Sequence, residues 1–395
     1  MSELTPVLLD AGAQRERIRN KIFSALTDVF PIKTSRYTLE LQNPRAVAED
    51  FSSKDQKEAI LEGRTLHERI QGTLVTKDKS GNVVDTAKTF TLMHMPFFTD
   101  RHTFILDGND YSVSSQIRAK PGVYARRRGN EELEAAFNLV KKKGAHFRLS
   151  MDPEEGKLNI EYGTTKIPLY PILRSFGVPH QDIASHWGKE VADMNQSTTG
   201  PLDKSIDKLY QKVIPPGQRN HTTTPEEKSR QLKMYYETAM MDPEVNQKTL
   251  GHPYDRVTPM TLLSASKKLL DIHRGGVDTD DRDSLEFKTF HSVDDFLKER
   301  IGLDARSLKS KMGLKLEAHD GMIRKAIPSA PFSKSVRGFL TTSALSAIPM
   351  QINPMELLDQ AVRVTSLGEG AISNERAIPT EARNLHSTHF GIMDP

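Results

Sequence analysis

The chain has 395 residues, no cysteine and a net charge of +3 at neutral pH. This length predicts two or three domains, and the missing cysteine excludes disulfides, thiolate metal sites and cysteine nucleophiles. A hydrophobic content of 36% and a mean hydropathy of −0.53 are typical of a soluble protein. No apolar run approaches the roughly 18 residues that a membrane span requires, and the N-terminus lacks the pattern of a secretion signal. We therefore expect no membrane contact.

The first predicted elements are a helix and a series of strands. Apolar residues at helical spacing predict an amphipathic helix over residues 13–30, namely Ile18, Ile22, Leu26 and Val29. The alternating stretch SRYTLELQ predicts a strand, and the long β-rich run after it turns at Ser80-Gly81-Asn82. Asp107-Gly108 predicts a second tight turn between strands.

The middle of the chain mixes both kinds of element. NEELEAAFNLVKKKG predicts a helix over residues 130–144, with Asn130 as cap, glutamates in the first turn and Gly144 at the end. AHFRLSM and KLNIEY predict two strands, PILRSFG a short helix, and Val178 to Ser205 a softer region. From Thr224, which starts a predicted capping box, the chain reads as mostly helical until polar loops past Ser343. Strands in the first half and helices in the second predict an α+β fold.

Basic residues concentrate between Arg118 and Arg148, where nine Lys and Arg stand against three Glu. They are Arg118, Lys120, Arg126, Arg127, Arg128, Lys141, Lys142, Lys143 and Arg148. Such a cluster can neutralise the phosphates of a nucleic acid. Charge alone favours a solvated basic face over a binding surface.

Three stretches invite a catalytic or metal-binding interpretation, and none fits well. Asp278 to Asp283 (DTDDRD) lacks the glycine and the closing glutamate of a calcium loop, so its aspartates are expected to cap a helix or pair with cations. His386 and His389 are three residues apart without the intervening Glu of a zinc helix, which favours structural histidines. GEGAIS lacks the third glycine and the Lys-Ser/Thr of a phosphate-binding loop. The residues by themselves give no catalytic constellation.

Two stretches carry a family resemblance. MPFFTDRHTFILDGNDYSVSSQIRAKPGVY and LTTSALSAIPMQINPMELLDQAVRVTSLGEGAISNERA resemble segments from the N-terminal half of the β subunit of multisubunit DNA-dependent RNA polymerases. In the first, the match is carried by Pro96, Thr99, Asp100, Thr103, Phe104, Ile105, Gly108, Ser115, Gln116, Pro121, Gly122 and Val123. In the second, it is carried by Ser343, Leu345, Ser346, Gln351, Asn353, Pro354, Arg363, Leu367, Gly368, Gly370, Glu375, Arg376 and Ala377.

Further similarities extend the resemblance over nearly the whole chain, and it is strong in four places. TKIPLYPILRSFG and VDTDDRDSLEFKTFHSVDDFL are similar to two further segments of the family, and the second accounts for the aspartates without a metal. The resemblance implies a protrusion at residues 1–125 and 271–340, an inserted lobe at 126–270, and a fork-loop and hybrid-facing region at 341–395. It stops at Pro395, which implies a split β subunit, as in giant bacteriophages of the nucleus-forming group, or a trimmed chain.

The resemblance also implies which residues contact nucleic acid. A surface beside an RNA–DNA hybrid should be polar with a few arginines, and glycines permit a tight loop there. The expected contacts are Arg118, Lys120, Arg126, Arg127, Arg363, Gly368, Gly370 and Arg376. The positions equivalent to the rifamycin pocket are Ala344, Ala347, Met350, Gln360, Arg363 and Thr365, and most of them lack the family's usual polar residue. We therefore expect rifampicin resistance.

The remaining expectations concern partners. The resemblance implies that Mg²⁺ is held by a β′-like partner subunit, so this chain has no cofactor, metal or catalytic residue of its own. Expected partners are the C-terminal half of β, β′-like subunits, a promoter-specificity factor, the DNA template and the RNA–DNA hybrid. The location is the cytoplasm of an infected bacterium or the virion. The alternatives are a non-enzymatic nucleic-acid-binding or phage structural protein that reuses the fold and, third, a metal-dependent nuclease.

Overall fold

A computed structural model describes residues 10–47, 49–140, 146–198, 200–214, 219, 224–350, 352–371 and 386–389. Its helices are α1 (Ala11–Val29), α2 (Ser53–Leu61), α3 (Leu169–Ser175), α4 (His180–Trp187), α5 (Lys189–Thr198), α6 (Leu202–Val213), α7 (Pro225–Thr238), α8 (Pro243–Leu250), α9 (Pro259–His273), α10 (Val293–Ala318), α11 (Ile323–Ala326), α12 (Ser333–Thr342) and α13 (Pro354–Val362).

The strands are β1 (Ile32–Lys33), β2 (Tyr37–Val47), β3 (His67–Asp78), β4 (Val83–Pro96), β5 (Thr103–Leu106), β6 (Asn109–Val113), β7 (Ser115–Ala119), β8 (Gly122–Arg127), β9 (Leu133–Asn138), β10 (Phe147–Met151), β11 (Leu158–Tyr162), β12 (Thr165–Pro168), β13 (Lys288–His291), β14 (Ser346–Ala347) and β15 (Val364–Thr365). Helices and strands together give the α+β fold that the sequence predicts. None of the helices in the described ranges is long and apolar enough to cross a membrane.

The chain divides into two compact units. Unit 1 comprises residues 1–118 and 290–384, and unit 2 comprises residues 119–289 and 385–395. The insertion that the resemblance implies, residues 126–270, lies inside unit 2. Its assignment as a lobe, and that of the flanking segments as a protrusion, stay predictions.

Unit 1 is built on the antiparallel sheet β1-β2-β3-β4, against whose core the helices α1 and α10 pack. The predicted opening helix is confirmed, because α1 buries Ile18, Ile22, Leu26 and Val29 as its spacing requires. At the start of α10 the Ser292 amide donates to the Asp295 carboxylate at 3.4 Å, and the Ser292 hydroxyl donates to Asp294. Unit 1 also contains the smaller sheet β14-β6-β5 and the pairing of β15 with β7.

Unit 2 is built on the antiparallel sheet β12-β11-β10-β9-β8. One face of this sheet is apolar and packs against helices that include α3, α4, α6, α7 and α9. Trp187 lies fully buried in this core and donates its indole N–H to Ser266 Oγ at 2.8 Å. The other face of the sheet carries charged residues.

The helix predicted over residues 130–144 is wrong. Residues 133–138 form β9, which pairs with β8 on one side and β10 on the other. Asn130 does not cap a helix, because Glu131 adopts a left-handed conformation (φ 64°) within a turn. Leu133, Ala135 and Phe137 alternate into the core, so strand pairing overrides the helix propensity of the glutamates and alanines. Gly144 lies outside the described residues.

The softer region predicted from Val178 to Ser205 is also wrong. It contains α4 and α5 and the start of α6. Proline residues Pro179 and Pro201 precede α4 and α6, and Gly188 ends α4 with a positive φ of 92°. The proline and glycine therefore mark boundaries between short helices rather than a loop. The other predicted strands, the helix in PILRSFG and the Thr224 cap of α7 are confirmed.

Candidate nucleic-acid interface

The two stretches that carry the strongest resemblance meet in unit 1. Strand β15 pairs parallel with β7, with Val364 opposite Ser115 and Thr365 opposite Gln116. Strand β14 pairs antiparallel with β6. The amide of Ser115 also donates to the carbonyl of Arg363 at 3.0 Å. Segments about 250 positions apart in the sequence thus form one structure, which we call the motif junction (residues 112–118, 345–350 and 352–369).

Gln116 holds the loop after β15. Its side-chain amide is buried and donates to the carbonyl of Leu367 at 2.5 Å. Gly368 follows with a φ of 102°, and a Cβ there would meet Leu345 at 3.1 Å and the Gln116 amide at 3.2 Å. Gly370 also has a positive φ, of 91°. Both the backbone conformation and the close packing therefore require glycine at 368.

Arg118 is committed to the motif junction. Its guanidinium donates to Glu299 at 2.8 Å, to Gln116 at 2.5 Å and to the carbonyl of Glu369 at 2.8 Å. The group lies over the ring of Phe296, and only 10% of the side chain is exposed. In this conformation Arg118 positions the loop, and a direct contact between Arg118 and nucleic acid stays a prediction.

The predicted basic cluster is paired with carboxylates on the charged face of the unit 2 sheet. Buried Glu134 accepts from Arg126, and from Arg128 at 2.5 Å, and lies 3.6 Å from Arg148. Arg128 also donates to Glu161 at 2.8 Å. Burial alone lowers the pKa of Arg128, but its hydrogen bonds to Glu161 and Glu134 outweigh this effect and raise it.

The same ion-pair system extends to the edge of the sheet. Glu132 accepts from Arg128 and, at 2.9 Å, from Lys166 on β12. These hydrogen bonds, that from Lys166 first, lower the pKa of Glu132 to about 2. Arg127 pairs with exposed Glu131 at 2.6 Å. The local excess of positive charge is therefore far smaller than the count of Lys and Arg indicates.

The other predicted contacts have different surroundings. Lys120 is half-buried and forms no ion pair with a described carboxylate. Arg363 is exposed and pairs with Asp359 one turn earlier in α13, at 2.5 Å. Arg376 and the three lysines at 141–143 lie outside the described residues. The nucleic-acid roles of Lys120, Arg126, Arg127, Arg363, Gly368 and Gly370 stay predictions.

The rifamycin-pocket equivalents lie in the motif junction, except Ala344, which directly precedes Leu345. Ala344 and Ala347 are exposed, and Met350 is 70% exposed. Gln360 is buried beside Glu356, and Thr365 is half-buried with its hydroxyl accepting from the Leu367 amide at 3.1 Å. Ala347 pairs with Ser112 and Thr365 with Gln116, and the drug-binding role of the six positions stays a prediction.

This region exposes more apolar surface than a polar hybrid-facing wall would. Large apolar side chains are exposed in the loop before α13 and along one face of α13, namely Ile348, Met350, Ile352, Met355, Leu358 and Val362. In α13 their spacing of three and four residues places them on one side. Several large apolar side chains exposed within one short stretch are typical of an interaction site. We call these six residues the apolar face.

The acidic stretch at 278–283 has structural partners within unit 2. Asp280 is buried, accepts from the Ala125 amide at 2.7 Å and pairs with Lys268 at 2.6 Å. Burial raises the pKa of Asp280 in spite of the hydrogen bond from Lys268. Asp283 pairs with Lys288 at 2.9 Å.

The two histidines of HSTH contact the same loop. His386 Nε2 lies 2.6 Å from Asp281 Oδ2, and His389 Nε2 lies 2.8 Å from the carbonyl of Asp283. These contacts are what the structural interpretation of both histidines predicts. Among the residues that the structure describes, no group of three or more His, Asp or Glu is arranged to hold a metal ion.

Comparisons with known proteins show that this chain is similar to the β subunit of RNA polymerase. Residues 348–395 match the family described as RNA polymerase Rpb2, domain 3. This stretch contains the apolar face, β15 and the loop after β15 with Gly368 and Gly370. The match supports an RNA polymerase β-like chain, in agreement with the multidomain α+β architecture.

Particular relatives are bacterial proteins named DNA-directed RNA polymerase subunit beta. That of Syntrophomonas wolfei is 25% identical over 94% of this chain, and that of Corynebacterium jeikeium is 25% identical over 96%. That of Synechococcus sp. strain RCC307 is 24% identical over 86%. In each comparison the match covers 33–35% of the relative's own length. The chain therefore spans about a third of the relatives that it matches.

Proposed function

We propose that this chain is the N-terminal part of the β subunit of a multisubunit DNA-directed RNA polymerase. It forms one jaw of the DNA cleft and the wall beside the RNA–DNA hybrid during template-directed RNA synthesis. The observation that carries the proposal is similarity to β subunits along 86–96% of the chain. The motif junction supports it, because the best-matching stretches pack against each other in three dimensions.

In this function the chain contributes positioning rather than chemistry. The nucleotidyl transfer is carried out by the assembled enzyme, with Mg²⁺ held by a β′-like partner. Arg118 and Gln116 hold the loop at Gly368 in one conformation, which fixes one boundary of the nucleic-acid cleft. Holding reactants in a defined geometry is itself a large part of catalysis by such enzymes.

The apolar face supports a protein partner beside the nucleic acid. It lies within the stretch that matches Rpb2 domain 3, and about two thirds of each relative's length lies outside the match. The occupant that fits is therefore a polypeptide equivalent to the rest of β. Met355 is 63% exposed, and burying such a side chain stabilises an interface by about 1.5–3 kcal/mol.

The test is to tag the full chain in its native cell, purify it gently and identify the bound chains by mass spectrometry. We expect a β′-like chain with the magnesium-binding aspartates and a chain with the rest of β. Met355→Glu should release the second chain, whereas Met234→Glu, at an equally exposed methionine of unit 2, should retain it. Recovery of the tagged chain alone, or only with capsid proteins, would favour the non-enzymatic alternative. Magnesium-dependent DNA cleavage by the isolated chain would favour the nuclease.

We also propose that the assembled enzyme is resistant to rifampicin. Ala344, Ala347 and Met350 offer the drug no polar partner, and a buried donor on the drug left unpaired costs about 1–3 kcal/mol. The assembled enzyme should therefore synthesise RNA at drug concentrations that stop a sensitive bacterial enzyme. Met350→Asp together with Gln360→His should increase drug sensitivity. Inhibition of the unmodified enzyme at micromolar drug would contradict the prediction.

We further propose that the chain is of viral origin and is one part of a split β subunit. This proposal is supported by identity of only 24–25% to bacterial relatives and by the altered drug-pocket positions. Recovery of the two parts of β as separate chains in the purification above would support it. A single full-length β carrying this sequence would contradict it.

A further inference from the structure

The exposed face in the C-terminal half of α10 carries cations without carboxylate partners. Arg306, Lys311 and Lys315 are exposed, and none forms an ion pair with a carboxylate in the described part of the chain. Met312 and Leu316 lie in the core of unit 1 on the opposite side of the helix. This face therefore projects away from the core of its own unit.

Asp304 and Glu317, the carboxylates of α10 nearest in sequence to these cations, have other partners. Asp304 lies 4.0 Å from Arg300 on the preceding turn. Glu317 accepts from the Ser35 amide at 2.7 Å and from its hydroxyl, and these hydrogen bonds lower the pKa of Glu317. Neither carboxylate forms an ion pair with Arg306, Lys311 or Lys315. This contrasts with the cluster on the unit 2 sheet, where glutamates pair with the arginines.

The arrangement of the face suits a phosphate backbone. At about 100° of rotation per residue, Arg306 lies at one edge of the exposed face and Lys315 at the other. The exposed hydroxyls of Ser307 and Ser310 lie between these edges. From Arg306 to Lys315 the helix rises about 13 Å, a distance over which one DNA strand presents about four phosphates. Hydroxyl and cationic side chains are the usual phosphate partners in protein–DNA complexes.

We propose that this face of α10 binds the phosphate backbone of double-stranded DNA. The inference deepens the proposed function and rests on it for its biological setting, but its chemistry needs only unit 1. The next helix, α11, adds Arg324 and Lys325, which are also exposed and without an ion pair among the described residues. Leu314 is the apolar residue of the face, with 68% of it exposed.

The test measures binding of the full chain to a short labelled DNA duplex of mixed sequence, by fluorescence anisotropy over a range of salt concentrations. The variant Arg306→Gln/Lys311→Gln/Lys315→Gln should bind more weakly. The negative slope of log K against log salt should also become shallower by about 2.7, since each lost phosphate contact removes about 0.9 from its magnitude. Leu314→Ala should leave the slope unchanged, because an alkyl side chain neutralises no phosphate.

The matched control changes three other exposed lysines of unit 1 that form no ion pair with described residues: Lys57, Lys79 and Lys88. The control variant Lys57→Gln/Lys79→Gln/Lys88→Gln has the same net charge and should keep the parental slope. Circular dichroism of both variants checks that α10 still folds. An equal loss of slope in both variants would overturn the proposal, because binding would then follow net charge only.

Three other outcomes would also overturn the inference: no salt-dependent DNA binding by the parent, an unchanged slope in the α10 variant, or loss of a copurifying protein with unchanged DNA binding. The last would identify the face as a protein contact. The proposed function is tested separately by recovery of polymerase partners. An α10 variant with parental DNA binding in a chain that still recovers these partners would refute only this inference. DNA binding through α10 by a chain without polymerase partners would refute only the proposed function.

Discussion

Glu134 is the residue on which the charged face of the unit 2 sheet depends. Its carboxylate is fully buried and faces Arg126, Arg128 and Arg148, which come from β8, the turn before β9, and β10. A buried carboxylate is tolerated only when hydrogen bonds and opposite charge replace its hydration. In the sequence these arginines resemble a binding patch, whereas in the fold all three face Glu134 and Arg128 also pairs with Glu132 and Glu161.

We expect Glu134→Gln to destabilise unit 2 by about 3 kcal/mol, at the lower end for a broken buried ion pair because the arginines still reach water. The matched control is Glu131→Gln, whose exposed pair with Arg127 should contribute at most about 1 kcal/mol. Trp187 is the single tryptophan of the chain and lies in unit 2, so urea unfolding followed by its fluorescence measures the effect. Equal midpoints for the two variants would contradict the prediction.

Glu132 should make the stability of unit 2 depend on pH. Its folded-state pKa is about 2, below the ordinary value of 4.5, because Lys166 and Arg128 favour the charged form. A lowered carboxyl pKa contributes stability above pH 4.5, and this contribution is lost as the pH falls towards 2. Glu132→Gln should therefore flatten the dependence of the Trp187 unfolding midpoint on pH in this window. Glu154→Gln, at an exposed glutamate, should keep the parental slope, and equal slopes for both variants would argue against the assignment.

At the scale of elements, the loop after β15 depends on the missing side chain of Gly368. Gly368→Ala places a Cβ against Leu345 and Gln116 in a left-handed backbone, at a cost of about 1–3 kcal/mol. We expect faster hydrogen–deuterium exchange at the amides of Ser115 and Leu367, whose acceptors are in residues 363–365.

Gly63→Ala is the control for this substitution. Gly63 has a φ of 68°, but its Cβ would meet nothing within 4 Å. It therefore imposes the backbone strain alone. If Gly63→Ala loosened the motif junction as much as Gly368→Ala, close packing against Gln116 would not be the cause.

Local sequence signals predicted most elements of the fold correctly. They failed where pairing with other strands determines whether a segment is a helix or a strand. The hairpin at Ser80-Gly81-Asn82 and the cap at Thr224 are local, so the sequence predicts both. Strand β9 reads as a helix because Glu, Ala and Leu are good helix formers. It becomes a strand only because β8 and β10 supply partners on both sides, which no local pattern shows.

The candidate site was predictable in part and for the same reason. Family resemblance selected Gln116, Gly368 and Arg363, and the fold brings the segments that carry them together. Charge counting selected Arg126 and Arg127 but could not reveal their carboxylate partners, although three glutamates in the same stretch were a signal. The sequence did not indicate the cationic face of α10. These cations can be assigned to one exposed face only when the buried side of the helix is known.

At the scale of the whole molecule, each unit has its own hydrophobic core. The core of unit 2 contains Trp187 and the apolar face of its five-stranded sheet, and its members lie between residues 123 and 272. The core of unit 1 combines residues from before and after this segment. A segment that buries its own apolar side chains is expected to fold without the rest of the chain.

We therefore expect a fragment of residues 119–289 to fold by itself. Its Trp187 fluorescence should match that of the full chain in wavelength and should shift to the red in one cooperative urea transition, because the indole is buried by residues of the fragment alone. The fragment lacks His386 and His389, so the loop at Asp281 and Asp283 should lose those two contacts and exchange its amides faster. Glu134→Gln in the fragment is the internal control, since it should lower the midpoint as it does in the full chain. A red-shifted emission without denaturant would show that the core of unit 2 requires the remainder of the protein.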